Sequence, residues 1–81
     1  MKLHRVRSSA IEAMGYEPKR RWLEVRWIGQ RQVYRYYGVP AEVYQELRAA
    51  ESLGAYMNEQ VKPRYFYEAV GEGSYDHDLI G

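Results

Sequence analysis

Cysteine is absent from the 81 residues. That excludes a disulfide staple and a thiolate metal site, and it fits a reducing compartment. Long apolar runs are also missing. Met1 to Ile11 is basic without an apolar stretch, so it does not read as a secretory signal, and nothing approaches the roughly 20 apolar residues of a membrane helix. A soluble cytoplasmic protein is expected. Histidine is scarce, with His4 and His77 near opposite ends. Together with Asp76 and Asp78 they could form a metal or acid–base set, but no closely spaced second histidine supports it. Ser9 has no base positioned beside it, and no phosphate-cradling glycine loop occurs. The expectation from these absences is no enzyme, no cofactor and no metal.

Aromatic side chains are plentiful: nine tyrosines, two tryptophans and one phenylalanine. A chain this short makes a single domain with a thin core, and ring bulk can supply much of the cohesion. The net charge of +1 hides an uneven distribution. Residues 1–35 carry nine bases and three acids, whereas residues 68–81 carry four acids and no base. The reading is a loose basic arm over 1–7, a folded domain over 8–67 and an acidic, frayed tail over 68–81. The tail could fold over the basic part or simply keep the chain soluble.

The organising stretch is Gln32 to Pro40. It reads as a strand that stops at Gly38 and hands over to a helix with Pro40 in its first turn. Tyr34 and Tyr36 fall on one strand face; Val33, Arg35 and Tyr37 fall on the other. Before it, Ile11 to Tyr16 reads as a first strand, with Gly15 marking a bulge. Glu17-Pro18-Lys19-Arg20 reads as a turn. Trp22 to Ile28 is the clearest strand: Leu23, Val25 and Trp27 alternate with Trp22, Glu24 and Arg26. Gly29 and its neighbours close a hairpin that pairs the face of Leu23, Val25 and Trp27 with Tyr34 and Tyr36. Val39, Val43, Tyr44, Leu47 and Ala50 form a helical stripe. Ser52 caps a second helix near Gly54 to Val61, with Tyr56, Met57 and Val61 inward, Gly54 weakening its start and Pro63 ending it. Tyr65-Phe66-Tyr67 comes next as a strand or extended cover. The predicted fold is α+β: a small three-stranded antiparallel sheet (β-β-β) covered on one face by two short helices, with the C-terminal aromatic segment closing an edge.

This order of signals resembles the KTSC domain family, which occurs at the C-terminus of some lysyl-tRNA synthetases and as stand-alone bacterial and phage proteins. The segments that carry the resemblance are Val6-Arg7-Ser8-Ser9-Ala10-Ile11, Met14-Gly15-Tyr16-Glu17-Pro18, Leu23-Glu24-Val25 and Val33-Tyr34-Arg35-Tyr36. Gly38-Val39-Pro40, Val43-Tyr44, Ser52-Leu53-Gly54, Tyr56-Met57-Asn58 and Arg64-Tyr65 complete it, so that it covers about residues 6–67. The tyrosine pair, here Tyr34 and Tyr36, is the family's central mark. The resemblance implies a small α+β module with no catalytic residues, for which RNA binding is suggested. The basic arm and acidic tail depart from the family pattern.

The candidate site lies on the face away from the helices. Trp22, Arg26, Arg35 and Tyr37 share that face, with Arg20, Arg21 and Arg31, and also Lys19, in or beside the connecting turns. Nucleic acid favours this mixture of cations for phosphate and flat rings for bases. The contrary reading makes Trp22 and Tyr37 a minor core beneath the arm, with the arginines solvated beside acids. The expected partner is RNA or another polyanion, bound as single strand or loop. The alternative is a protein-docking module that attaches to a larger machine, or to its own copy as a weak homodimer through an exposed edge strand. No membrane contact is expected. Ser52 with Gly54 could hold a phosphate, but capping is the simpler role.

Overall fold

The alternating run Trp22–Trp27 sends one set of side chains to each side of a sheet, and the rest of the domain is layered on it. In a computed structural model, which describes residues 2–72, this run is the third of five strands. They are β1 (His4–Arg5), β2 (Ile11–Glu17), β3 (Trp22–Trp27), β4 (Val33–Tyr36) and β5 (Tyr67–Ala69). Their order is sequential, and each neighbouring pair is antiparallel. Between β4 and β5 lie α1 (Ala41–Ala49) and α2 (Leu53–Tyr56), the latter running directly into a π-helical turn, Met57–Val61. The α+β class and the two helices agree with the sequence reading; the sheet has five strands, not three. Among the described residues, no helix is long and apolar enough to cross a membrane.

Both additional strands are edges. The arm over 1–7 is not loose within its described part: His4 pairs with Met14 and Arg5 with Ala13. The cause is Leu3, which is 1% exposed and packs with Ala13 and Val33 in a small second core, joined by Val70, on the side away from the helices. Val33, expected at solvent, is therefore sealed. At the other edge the ladder runs two residues beyond the expected aromatic segment, with Tyr67 opposite Tyr36, Glu68 opposite Arg35 and Ala69 opposite Tyr34. Glu68 and Ala69 thus belong to the sheet rather than to a frayed tail, and Val70 packs beside them. Asp76, His77 and Asp78 lie outside the described residues.

The central register is the expected one: Leu23 faces Tyr36 and Val25 faces Tyr34. Tyr36 is 1% exposed in the main core with Ile11, Met14, Leu23, Val25, Val39, Leu47, Met57 and Val61. Trp27 and Tyr34 pack against this cluster half-buried. Ile11 and Met14, three apart, reach one face because the register of β2 shifts between Ile11 and Ala13, leaving Glu12 as the bulged residue. Gly15 pairs regularly with Glu24 and is not the bulge.

The joints are set by local chemistry. Gly38, at φ +74°, turns the chain out of β4. Pro40 sits at the N-cap of α1, one position before the first turn, and its carbonyl accepts from the N–H groups of Val43 and Tyr44 at 3.0 and 3.3 Å. Ala50 lies just past the helix, its N–H bonded to the Leu47 carbonyl. Ser52 caps α2, accepting from the Ala55 N–H at 3.1 Å. Gly54, a weak helix former at this start, has a packing reason. A Cβ there would lie 2.7 Å from the Ala10 Cβ, so glycine is what lets α2 approach the beginning of β2.

Candidate functional site

The face of the sheet opposite the helices carries a row of rings. Trp22, at the start of β3, meets Tyr37, just past β4, edge-on at 6.0 Å between centroids. Tyr37 in turn meets Phe66, just before β5, at 5.7 Å. The Tyr37 N–H donates to the Phe66 carbonyl at 2.9 Å, which holds the two segments side by side. Phe66 is 70% exposed and ends the row at the sheet edge. It is not among the expected site residues. Its signal is present in the alternation: with Tyr67 on the helix side beside Tyr36, its predecessor must point the other way.

Cations frame the row. The Arg35 guanidinium lies 3.8 Å from the Trp22 ring centroid and that of Arg20 lies 4.9 Å from it. Arg35 Nε donates to Glu24 Oε2 at 2.7 Å, and Glu24 is only 5% exposed. Burial works to lower the Arg35 pKa, but hydrogen bonds to Glu24 and Tyr37 prevail and raise it. The Tyr37 hydroxyl donates to Glu68 Oε2 at 2.6 Å, and that carboxylate holds its pKa above the usual value. A strip of alternating charge, Glu24, Arg35 and Glu68 in register, therefore crosses β3, β4 and β5 next to the rings, with Arg35 paired to Glu24 and Glu68 bonded to Tyr37.

The expected site residues separate into two groups. Trp22, Arg20, Arg35 and Tyr37 come together, with Arg21 in the turn that leads into Trp22. Lys19, Arg20 and Arg21 are exposed there. Arg21 has φ +58°, and its carbonyl accepts from the Val39 N–H at 2.9 Å, so its backbone ties the turn to the start of α1. Arg26 lies four residues along β3, about 13 Å away at the rise of a strand. It sits 3.7 Å from Glu12 and donates to the Gln30 carbonyl at 3.0 Å. Arg31, in the β3–β4 loop, pairs with Glu72 at 3.6 Å. The contrary reading, a minor core under the arm, applies to neighbouring residues instead: Leu3 covers Ala13 and Val33, while Trp22 and Tyr37 remain half-buried. The Ser52 hydroxyl is committed to its cap. His4 lies on edge strand β1, and no group of three metal-ligating side chains occurs among the described residues.

Fold and face together define a small α+β domain: an antiparallel sheet in chain order, helices on one side and an aromatic, arginine-bearing surface on the other. The KTSC domain model matches residues 7–65, and the chain belongs to the KTSC domain family. It is 52% identical over 60 residues to a protein of Tsukamurella paurometabola, covering 74% of this chain and 88% of that one. It is 39% identical over 66 residues to a protein of Stutzerimonas stutzeri, covering 82% and 92% of the two chains. The crystal structure of a KTSC domain protein from Yersinia pestis superposes with a TM-score of 0.81 at 31% identity, over 86% of this chain and 97% of that one.

Proposed function

We propose that the domain is a non-catalytic binding module that takes single-stranded or looped RNA on the open face of its sheet. The observation that carries this reading is the row Trp22, Tyr37 and Phe66, which ends in a ring that is 70% exposed and has arginines over its first member. Unpaired bases stack on such rings with little regard to identity, and cations alongside hold the backbone.

Phosphate contact falls mainly to Lys19, Arg20 and Arg21. Arg26, Arg31 and Arg35 are already held by Glu12, Glu72 and Glu24, so a polyanion would have to compete for them. With two or three phosphates neutralised on a single strand, log K should fall with log salt at a slope of about −2. Titration of labelled single-stranded RNA at low salt tests this. Tyr37→Ala or Phe66→Ala should weaken binding roughly tenfold with the fold kept, and Arg20→Ser with Arg21→Ser should flatten the salt slope. Absence of salt-sensitive binding would end the proposal.

The same carboxylates favour a second reading. A patch whose arginines are neutralised in place, and which still exposes Phe66, suits the centre of a protein interface. Pull-down from nuclease-treated lysate separates the two, since an RNA-bridged partner is lost and a docked protein stays.

A further inference from the structure

On the helix side of the sheet, the ends of β3 and β4, strand β5 and the π-helical turn enclose a cleft of about 240 Å³ lined by Trp27, Gln30, Tyr34, Tyr36, Lys62 and Tyr67. Tyr36 forms a buried floor, while Tyr67, 43% exposed, stands at the mouth. The Tyr67 ring lies 4.9 Å from that of Tyr36 and 6.3 Å, edge-on, from that of Tyr34. The Lys62 ammonium is 4.3 Å from the Trp27 ring centroid. The π-turn sets its place. The Lys62 N–H donates to the carbonyl five residues back, Met57, at 2.8 Å, and the extra residue rotates the downstream chain by about 100° relative to a continuous α-helix. The domain's departure from α geometry thus delivers the one charged side chain that lines the cleft among the described residues.

We infer that this cleft binds a single nucleotide, with its base against the tyrosine rings and its phosphate on Lys62. Four of the lining side chains are aromatic, Trp27, Tyr34, Tyr36 and Tyr67, and such surface favours a planar guest. Among the described residues the lining holds an ammonium and no carboxylate, so a cationic guest would meet repulsion there whereas an anionic one is attracted. The volume lies below the roughly 300–1,000 Å³ of pockets for drug-sized ligands, which suits a guest about the size of one base. Gln30 supplies a donor and an acceptor for a base edge. The site is on the face opposite Trp22 and stands independently of the open-face reading.

The two tryptophans, one on each face, make the test direct. Their indole N–H resonances in the full ¹⁵N-labelled chain are tracked during addition of adenosine monophosphate, adenosine and a short oligoadenylate. The monophosphate should shift Trp27 and leave Trp22 in place. Lys62→Ala should weaken the monophosphate at least fivefold and leave adenosine unchanged, whereas Tyr67→Ala should weaken both. Melting curves of the variants confirm the fold, with Lys62→Gln as a second neutral variant. An oligonucleotide that shifts Trp27 at lower concentration than the monophosphate identifies a nucleotide within a strand as the source, and the reverse order identifies free nucleotide. A silent Trp27 with all three probes, an equal effect of Lys62→Ala on monophosphate and adenosine, or a stronger response to tetramethylammonium than to the monophosphate would each overturn the inference.

Discussion

Gly54→Ala should destabilise the domain, and Ala10→Gly should relieve it. The new Cβ would lie 2.7 Å from the Ala10 Cβ, whereas carbons in contact sit at about 3.5–4.0 Å. Ala10 cannot easily withdraw. Its N–H donates to Ser8 Oγ at 3.0 Å and its carbonyl accepts from the Ile28 N–H at 2.9 Å, so its backbone is held on both sides. Overpacking of this kind costs about 1–3 kcal/mol. Alanine's helix preference over glycine offsets up to about 1 kcal/mol, leaving a net loss of about 0–2 kcal/mol. Ala10→Gly alone should cost about 0.5–1 kcal/mol through added backbone freedom. If the clash is the cause, the double variant should recover at least about 1 kcal/mol relative to the sum of the singles, beyond the roughly 0.3–0.5 kcal/mol scatter of additive pairs. Urea unfolding monitored by tryptophan fluorescence measures this, provided the slope against denaturant is unchanged across the four proteins. An additive pair would refute the claim that glycine is there for close approach.

The packing dictates three further outcomes. Leu3→Ala should cost about 2–4 kcal/mol as a large-to-small change in a sealed site; an unchanged urea midpoint would mean that the arm is not docked. Arg35→Ala should cost about 2–4 kcal/mol because it leaves the Glu24 carboxylate buried without its partner, and adding Glu24→Gln should restore part of that; no loss in the single variant would contradict the pairing. Burial pushes the Tyr36 hydroxyl up to about 12, above its ordinary value near 10. The neutral form is favoured in the fold, so this contribution is full below pH 10 and is lost as pH rises from 10 to 12, by about 2–3 kcal/mol in total. Unfolding free energies at pH 9 and 11 should therefore differ less for Tyr36→Phe than for the parent, and equal differences would remove Tyr36 as a source of alkaline sensitivity.

The central hairpin is legible in the sequence because its signal is redundant. Leu23, Val25 and Trp27 alternate strictly, Tyr34 and Tyr36 repeat the same period, and a helix stripe needs one sheet face to rest on. The observed pairs Leu23 with Tyr36 and Val25 with Tyr34 result from that. The edges lack such redundancy. Strand β1 has two residues, and its anchor is the single apolar Leu3, whose partners Ala13, Val33 and Val70 come from three distant stretches. Residue type points to Gly15 as the bulge, whereas the spacing of Ile11 and Met14 requires an extra residue between them, and Glu12 provides it. Gly54 reads as a weak helix former because close approach is a property of two segments and cannot be seen in either alone. On the open face, composition identifies the basic and aromatic side chains but not their pairing. Which arginine meets which glutamate depends on cross-strand register, as Arg35 with Glu24 shows.

Consecutive residues at the β5 edge connect the two faces. Phe66 completes the ring row with Tyr37 on one side, and Tyr67 stands over Tyr36 at the mouth of the cleft on the other. A strand of three exposed residues could not hold this arrangement by itself. It is held from its neighbours: the Tyr37 N–H bonds to the Phe66 carbonyl, and the Val70 N–H bonds to the Val33 carbonyl at 2.9 Å, bracketing β5. Displacement of β5 should then disturb both faces at once, whereas side-chain truncation at Phe66 or Tyr67 should disturb only one. Gly71, whose carbonyl accepts from the Val33 N–H, offers a way to apply the first perturbation without touching either ring. Its φ is +103°, a conformation that a β-branched residue resists, so Gly71→Val should loosen the end of the ladder. The indole resonances of Trp22 and Trp27 should both move in that variant. In Phe66→Ala the larger shift should be at Trp22, and in Tyr67→Ala at Trp27. A Gly71→Val spectrum in which neither indole moves would show that the two faces are built independently of the strand between them.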